Sequence, residues 1–450
     1  MNAKGAEWQE IPLGKILRYL DERVTMDDER EYLTITVKRR HGGLEIREKL
    51  FGHQIATKKQ FRLVPGAFII SRVQCWHQAY AIVGDVPPNT IASTNYDQFA
   101  ISSEVDSRFF WWLSHGPTFT ETVRSSAVGV VIEKMVFNRD EWLTKSVRLP
   151  PLAEQQRVVT RIEELATQIQ EALTLRHQAA QEAEALLASA ISQSCSGRSA
   201  PASNAEETAR QLLDRISKTK WPGHVGARKR RSTPLPPPPR VPKSWLVIEA
   251  GELQECGVIL DIQDGNHGGD YPRKAEFGDE GVPFVTAKQF DNGTVRIAEA
   301  PRLPHDRASK LRIGFAKAND VLLTHNASVG DVAIAPQDAG DFLLGTSATY
   351  WRCNPEGLDR RYLFYFMRSE YFQGQLQFIM KQTTRNQVSV LKQVNLWICF
   401  PPLAEQRRIV AELDAMQAQV NALKRLQAET ATELDALLPA ILDRAFKGEV

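Results

Sequence analysis

At 450 residues the chain exceeds one ordinary hydrophobic core, and its length fits two or three domains. With 42% hydrophobic and 24% charged residues it has the make-up of a soluble globular protein, and it holds no run of about 18 apolar residues that could span a bilayer. The formal net charge of +2 announces no nucleic-acid partner, so any such case has to come from pattern rather than from bulk charge.

The N-terminal stretch MNAKGAEWQEIPLGKI lacks the apolar core and small-residue cleavage site of a signal peptide, so a cytoplasmic location is expected. Trp8, Ile11, Gly14 and Ile16 open a domain of alternating strand and helix signals. The runs VPGAFIIS at 64 to 71 and IASTNY at 91 to 96 read as strands ending in polar loops. DSRFFWWLSH, from Asp106 to His115, reads as an aromatic-rich amphipathic helix. At 149 to 159 the chain reads LPPLAEQQRVV and enters a heptad pattern through Val158, Ile162, Leu165, Ile169, Ala172, Arg176, Ala179, Ala183, Leu186 and Ala190. Residues 194 to 244 form a connector. Ser203 to Glu206 has the pattern of a capping box opening a short helix through Leu212, Leu213 and Ile216. The basic run Arg228 to Arg231 and the proline-dense LPPPPRVP, a semi-rigid spacer, complete it.

Everything then recurs. Trp245, Ile248, Gly251 and Leu253 repeat the opening, a run ending at Thr324 and LGTSAT at 344 to 349 repeat the strands, and DRRYLFYFMR from Asp359 repeats the aromatic helix. FPPLAEQRRIV at 400 to 410 matches the earlier motif at eight of eleven positions. Adding 251 to each heptad position reaches Ile409, Leu413, Met416, Val420, Leu423, Gln427, Thr430, Leu434, Leu437 and Ile441. The second copy carries a net insertion of 16 residues before Asp320, because the offset grows from 237 to 253. The fold expected is α+β: two mixed α/β domains in pseudo-twofold arrangement, residues 1–148 and 245–399, joined by two long antiparallel coiled-coil helices, 149–193 and 400–450.

Chemistry of its own is not expected. Five cysteines, Cys75, Cys195, Cys256, Cys353 and Cys399, lie far apart with no C-x-x-C pair, which argues against a zinc site and a disulfide framework. His267, His305 and His325 lack metal-ligand spacing, and no phosphate-binding loop occurs. Asp85-Val86-Pro87-Pro88-Asn89 reads as a turn, and Asn266-His267-Gly268-Gly269 as a flexible one. Short basic clusters such as Lys38 to Arg40, and Lys58 with Lys59, read as solvated faces.

The doubled PPLAEQ-x-R motif at Pro150 to Arg157 and Pro401 to Arg408, together with Ala445 to Glu449, Gln382 to Gln387 and Asn319 to Leu323, resembles the specificity subunit of type I restriction-modification systems. That resemblance, which covers essentially the full length, implies two target recognition domains, each reading one half of a bipartite asymmetric site in double-stranded DNA. The helix pair would set the unread gap and dock two methyltransferase subunits, with restriction subunits joining the complex. S-adenosylmethionine, ATP and Mg would then belong to the partners, and the source would be bacterial or archaeal. Proline suits a helix start and Glu154 or Glu405 the positive end of its dipole. Capping needs less than the whole motif, so Glu154, Gln155, Arg157, Glu405, Gln406 and Arg408 are docking candidates. Polar loops after repeated strands supply the base-reading candidates: Arg72, Gln74, Thr94, Asn95, Tyr96 and Arg124, then Lys288, Asn326, Ser347, Thr384, Arg385 and Asn386. The alternative is a coiled-coil scaffold with two protein-binding domains and no DNA role, for which the near-neutral charge speaks.

Overall fold

The computed structural model describes residues 8–198, 207–226, 233–381 and 386–449. The chain forms two compact units that do not follow chain order: Met1–His177 with Gln427–Val450, and Gln178–Leu426. Each unit therefore contains the head of one long helix and the tail of the other.

In the first unit, strand Gln9–Pro12 pairs antiparallel with Ser146–Leu149 and ties the two ends of the domain together. A four-stranded antiparallel sheet follows the spatial order Leu17–Tyr19, Tyr96–Ile101, Phe68–Ser71, Tyr80–Ile82. A second sheet of five strands includes one parallel pairing, Leu33 to Thr90. The aromatic helix spans Ser107–Ser114, and Asp106 caps it by accepting from the backbone N–H of Arg108 and Phe109. Its Phe109, Phe110 and Leu113 bury against Phe68, Phe99, Phe119 and Trp142, with Phe68 and Phe110 edge to face at 5.1 Å. Truncating Phe110 to Ala would leave a cavity there and cost about 3–5 kcal/mol. Val158, Val159 and Ile162 of one long helix and Leu442 and Ala445 of the other close the same core.

The second unit repeats the plan. Leu246–Glu249 pairs with Trp397–Phe400, and the four-stranded sheet runs Ile259–Asp264, Ala348–Cys353, Val321–Asn326, Ser328–Ile334. Asp359 caps the aromatic helix Arg360–Arg368 through the N–H groups of Arg361 and Tyr362. Leu187, Ile191 and Cys195 of the first long helix and Ile409, Val410, Leu413 and Val420 of the second belong to this core. The short helix of the connector, Ala209–Ser217, packs here through Leu212, Leu213 and Ile216. Its capping box is Thr208 with Gln211, not Ser203 with Glu206; those two residues and the basic run 228–231 lie outside the described residues.

Both long helices are 44 residues, Leu152–Cys195 and Leu403–Phe446, which at ~1.5 Å per residue is ~66 Å each. Each starts because Pro151 or Pro402 cannot continue a helix backwards, while its carbonyl accepts from the N–H groups three and four residues on. Within the first unit the residues of one helix advance as those of the other recede, from Val158 near Ala445 to Arg176 against Gln427, so the pair is antiparallel there. The Arg176 guanidinium donates to the Gln427 carbonyl at 2.5 Å and to Thr430 Oγ1 at 2.8 Å, and Gln427 Nε2 donates to the Arg176 carbonyl at 2.9 Å. In the second unit Lys424 pairs with Glu184 in the same sense.

The strict heptad fails at the same point in both helices. Leu186 and Leu437, expected in the seam, are 66% and 44% exposed, whereas Leu187 is buried and Leu438 half-buried. A helix of 3.6 residues per turn drifts by roughly 20° per heptad against a 3.5 repeat. Here packing on a globular core, through Leu187 and Ile191 or Leu438 and Leu442, replaces helix-to-helix packing and takes up that drift in one four-residue step.

Candidate nucleic-acid interface

Strand Phe68–Ser71 runs straight into Arg72, whose N–H donates to the Asn95 carbonyl at 2.7 Å and whose carbonyl accepts from Phe137 N–H at 2.8 Å. Three segments distant in sequence are thereby laced at one sheet end. Gln74 sits just beyond, Thr94 and Asn95 form the turn before strand Tyr96–Ile101, and Arg124 arrives from helix Pro117–Ser125 with its guanidinium 5.4 Å from the centre of the Trp76 ring. Asn95 is exposed, and Arg72, Gln74, Thr94, Tyr96 and Arg124 are half-buried.

This corner holds more polar capacity than it uses. Buried Asp97 lies 3.7 Å from Arg72 Nε and 3.8 Å from Arg139, which also stacks on Tyr19 at 3.8 Å. Burial pushes the Asp97 carboxyl up, and Arg72 and Arg139 pull it back. Arg72 Nε, Gln74 Oε1 and Arg124 Nε are all buried without a hydrogen-bond partner. Unsatisfied buried polar atoms cost about 1–3 kcal/mol each, and three of them gather at this one corner.

The second unit places its candidates at the equivalent corner. Strand Val321–Asn326 ends with His325 N–H donating to the Ser347 carbonyl at 2.9 Å and the His325 carbonyl accepting from Val388 N–H at 2.9 Å. This is the Arg72 lacing repeated with His325 in its place. Ser347 Oγ accepts from Ala287 N–H at 2.9 Å, which brings Lys288 alongside, and Ala327 N–H donates to the Asn386 carbonyl at 3.1 Å. Ala327 holds this turn at φ 66°, in the left-handed region. Lys288, Asn326, Ser347 and Asn386 are thus brought together, with Lys288 and Asn386 exposed. Thr384 and Arg385 lie outside the described residues.

His325 itself, read in sequence only as lacking metal spacing, is a component of the corner. It is 1% exposed, and its Nε2 lies 2.8 Å from Asp264 Oδ1, at ion-pair distance but off the line of a hydrogen bond, so neither ring nitrogen is satisfied. Asn266, two residues on from Asp264, is buried and donates to the Ile313 and Leu344 carbonyls, leaving its Oδ1 unpaired. Its neighbour Gly265 is obligatory: a Cβ there would meet the Gly345 carbonyl oxygen at 2.0 Å. No signal in one sequence separates such a buried histidine from a surface one.

The docking candidates divide. Gln155 is buried, accepts from Asp106 N–H at 2.9 Å and donates to the carbonyls of Pro150 at 2.9 Å and Glu104 at 3.2 Å. Gln406 does the same with Asp359, Pro401 and Gly357. Their side-chain amides are spent inside the chain, binding the helix start to the capped end of the aromatic helix, a demand of the fold that by itself accounts for their repetition. Arg157 and Arg408 clasp Glu154 and Glu405 through two contacts each at 2.7–2.9 Å. Of the six docking candidates those four reach the surface, Arg157 exposed and the rest half-buried. Among the described residues no group of histidine, cysteine or carboxylate side chains could hold a metal ion, all five cysteines are free, and no helix is long and apolar enough to cross a membrane.

Residues 248–431 match the family model described as the type I restriction modification DNA specificity domain. The specificity subunit of the type I restriction enzyme MjaVIII, from Methanocaldococcus jannaschii, is 24% identical over 202 residues, 42% of this chain and 43% of that protein. The EcoBI specificity subunit of Escherichia coli is 19% identical over 173 residues, 38% of this chain and 36% of that one. The matched regions thus span less than half the length of these curated relatives. In fold the likeness extends over the whole chain. The HsdS subunit of Thermoanaerobacter tengcongensis superposes with a TM-score of 0.61 at 23% identity, covering 100% of this chain and 98% of that one. A chain solved in a study of complex assembly and conformational transition of the type I R-M system gives 0.67 at 24% identity, with 100% and 99% covered.

Proposed function

We propose, for a chain whose family model, curated relatives and fold all indicate a type I restriction-modification specificity subunit, that it reads DNA without catalysing any reaction. Each unit reads one half of a bipartite site. The observation that carries this is the twin corner: one lacing of strand end, turn and returning segment occurs in both units, at Arg72–Asn95–Phe137 and at His325–Ser347–Val388, but bears unlike side chains. A common scaffold with different polar loops is what two readers of an asymmetric site require. Arginine, lysine, asparagine and glutamine at these corners suit guanine and adenine edges or phosphates. The two helices set the unread gap and carry the surfaces for two methyltransferase subunits, centred on the Glu154–Arg157 and Glu405–Arg408 clasps. Restriction subunits, and the S-adenosylmethionine, ATP and Mg of the chemistry, belong to that assembly, which works in the cytoplasm.

The test is selection from a random duplex pool with the full chain, alone and co-expressed with its methyltransferase. Two short conserved blocks separated by a fixed unread spacer are expected. A pool that stays unenriched under both conditions would leave the scaffold reading, which the net charge of +2 favours, as the better account.

A further inference from the structure

The returning segment of the first corner carries an apolar tip. Ala127–Val128 and Val136–Phe137 form a short antiparallel hairpin, whose root is fixed by Phe137 in the core and by Asn138 N–H donating to the Ser126 carbonyl at 2.9 Å. Along the hairpin, Val128 is 64% exposed, Val130 fully so, Val131 49%, Ile132 46% and Val136 40%. Val73, between Arg72 and Gln74, adds another exposed aliphatic group at 39%. So many neighbouring exposed valines and isoleucines are a liability in water unless something covers them.

The surroundings narrow what that is. The tip rises from the corner where Phe137 N–H is bonded to the Arg72 carbonyl, and Arg124 and Arg139 stand at the same corner. The tip's own charged residues are Glu133 and Lys134, and Asp140 pairs with Arg139 at 3.3 Å. The corresponding stretch of the second unit, which returns to His325 through Val388 as this one returns to Arg72 through Phe137, reads Gln382-Thr383-Thr384-Arg385-Asn386-Gln387 and is polar throughout. The apolar character is therefore a difference between the two readers rather than a demand of the scaffold. A duplex groove offers one apolar group on a base edge, the thymine 5-methyl.

Resting on the function proposed above, we infer that the Val130–Val131 tip reads the thymine methyl of at least one A·T pair in the half-site bound by the first unit. The experiment uses the full chain and the duplex enriched from the random pool, with thymine replaced by uracil in one half-site at a time. In one half-site only, removing a methyl should weaken binding about fourfold, the loss carried by one buried methyl group. Val130→Ser with Val131→Ser should weaken the thymine duplex by a similar factor and leave the uracil duplex almost as the parent chain binds it, since both changes delete the same contact. These positions are exposed, so folding is not at stake. Uracil tolerated in both half-sites, a responding half-site built of G·C pairs alone, or variants that weaken both duplexes equally would overturn the inference while the DNA-reading function stands. Variants that keep both affinities but lose a co-purified methyltransferase would make the tip a protein contact and overturn it too. A pool that never enriches removes the function and this inference together.

Discussion

The buried glutamines of the repeated motif give the most direct separation of scaffold from partner. Replacing Gln155 with Ala removes an acceptor from the half-buried Asp106 N–H and a donor from the Pro150 and Glu104 carbonyls. The orphaned N–H alone costs about 1–3 kcal/mol, and the carbonyls, which keep a second lone pair, add less, so the total should be about 2–4 kcal/mol. The cost is local, because Asp106 caps the aromatic helix. Native-state hydrogen exchange on the full chain should show amides of Ser107–Ser114 losing protection by that amount, with Arg360–Arg368 unchanged. Gln406→Ala should do the reverse through Asp359, and the double variant should be additive. If Gln155→Ala cost under about 0.5 kcal/mol and abolished methyltransferase binding instead, the glutamine would be a docking group and the reasoning would fail.

Three further outcomes are expected. His41 and His115 stack at 3.8 Å in the first unit, His41 Nε2 meeting the Ser114 carbonyl and His115 Nδ1 the Trp111 carbonyl, and burial together with His41 lowers the His115 pKa to about 4. A depressed folded-state value means stability present above the unfolded pKa of ~6.5 and lost as pH falls from there towards 4; at pH 5 the loss is about 2 kcal/mol. Chemical denaturation between pH 7.5 and 5 should show it, His115→Gln should flatten it, and the second unit, with Arg368 at the equivalent place, should be spared. Removing one heptad from each long helix, around Ala172 and Leu423, shortens each by ~10 Å and should narrow the spacer of the methylated site by about three base pairs with both half-sites kept. Exchanging residues 1–148 for those of a related chain should alter one half-site only, as read by methylation mapping.

Elements set by short-range chemistry were legible in the sequence. Asp106 and Asp359 announce helix starts, Pro151 and Pro402 do likewise, and the doubled strand and helix signals all have counterparts in the two units. What stayed hidden depends on a third dimension. The motif glutamines looked like surface identity because a sequence cannot say that position 155 faces Asp106 across 49 residues. The seam reading held Leu186 and Leu437 to a period that applies where helices pack only on each other, and lost them where a globular core takes over. At the corners, residue type pointed to the polar loops but not to His325 or the exposed valines, since burial and exposure invert what residue type alone suggests.

The division of the two units has a consequence for biogenesis. The core of the first unit is completed by Leu442, Ala445 and Phe446, which are translated only after the entire stretch Gln178–Leu426. At ~5–20 residues per second, those intervening residues occupy the ribosome for roughly 12–50 s. Throughout that interval Val158, Val159 and Ile162 have no final partner, and the nascent chain presents an unfinished apolar surface while its second unit is still emerging. Closure of the first unit thus waits on the last stretch of the second long helix rather than on synthesis of its own domain.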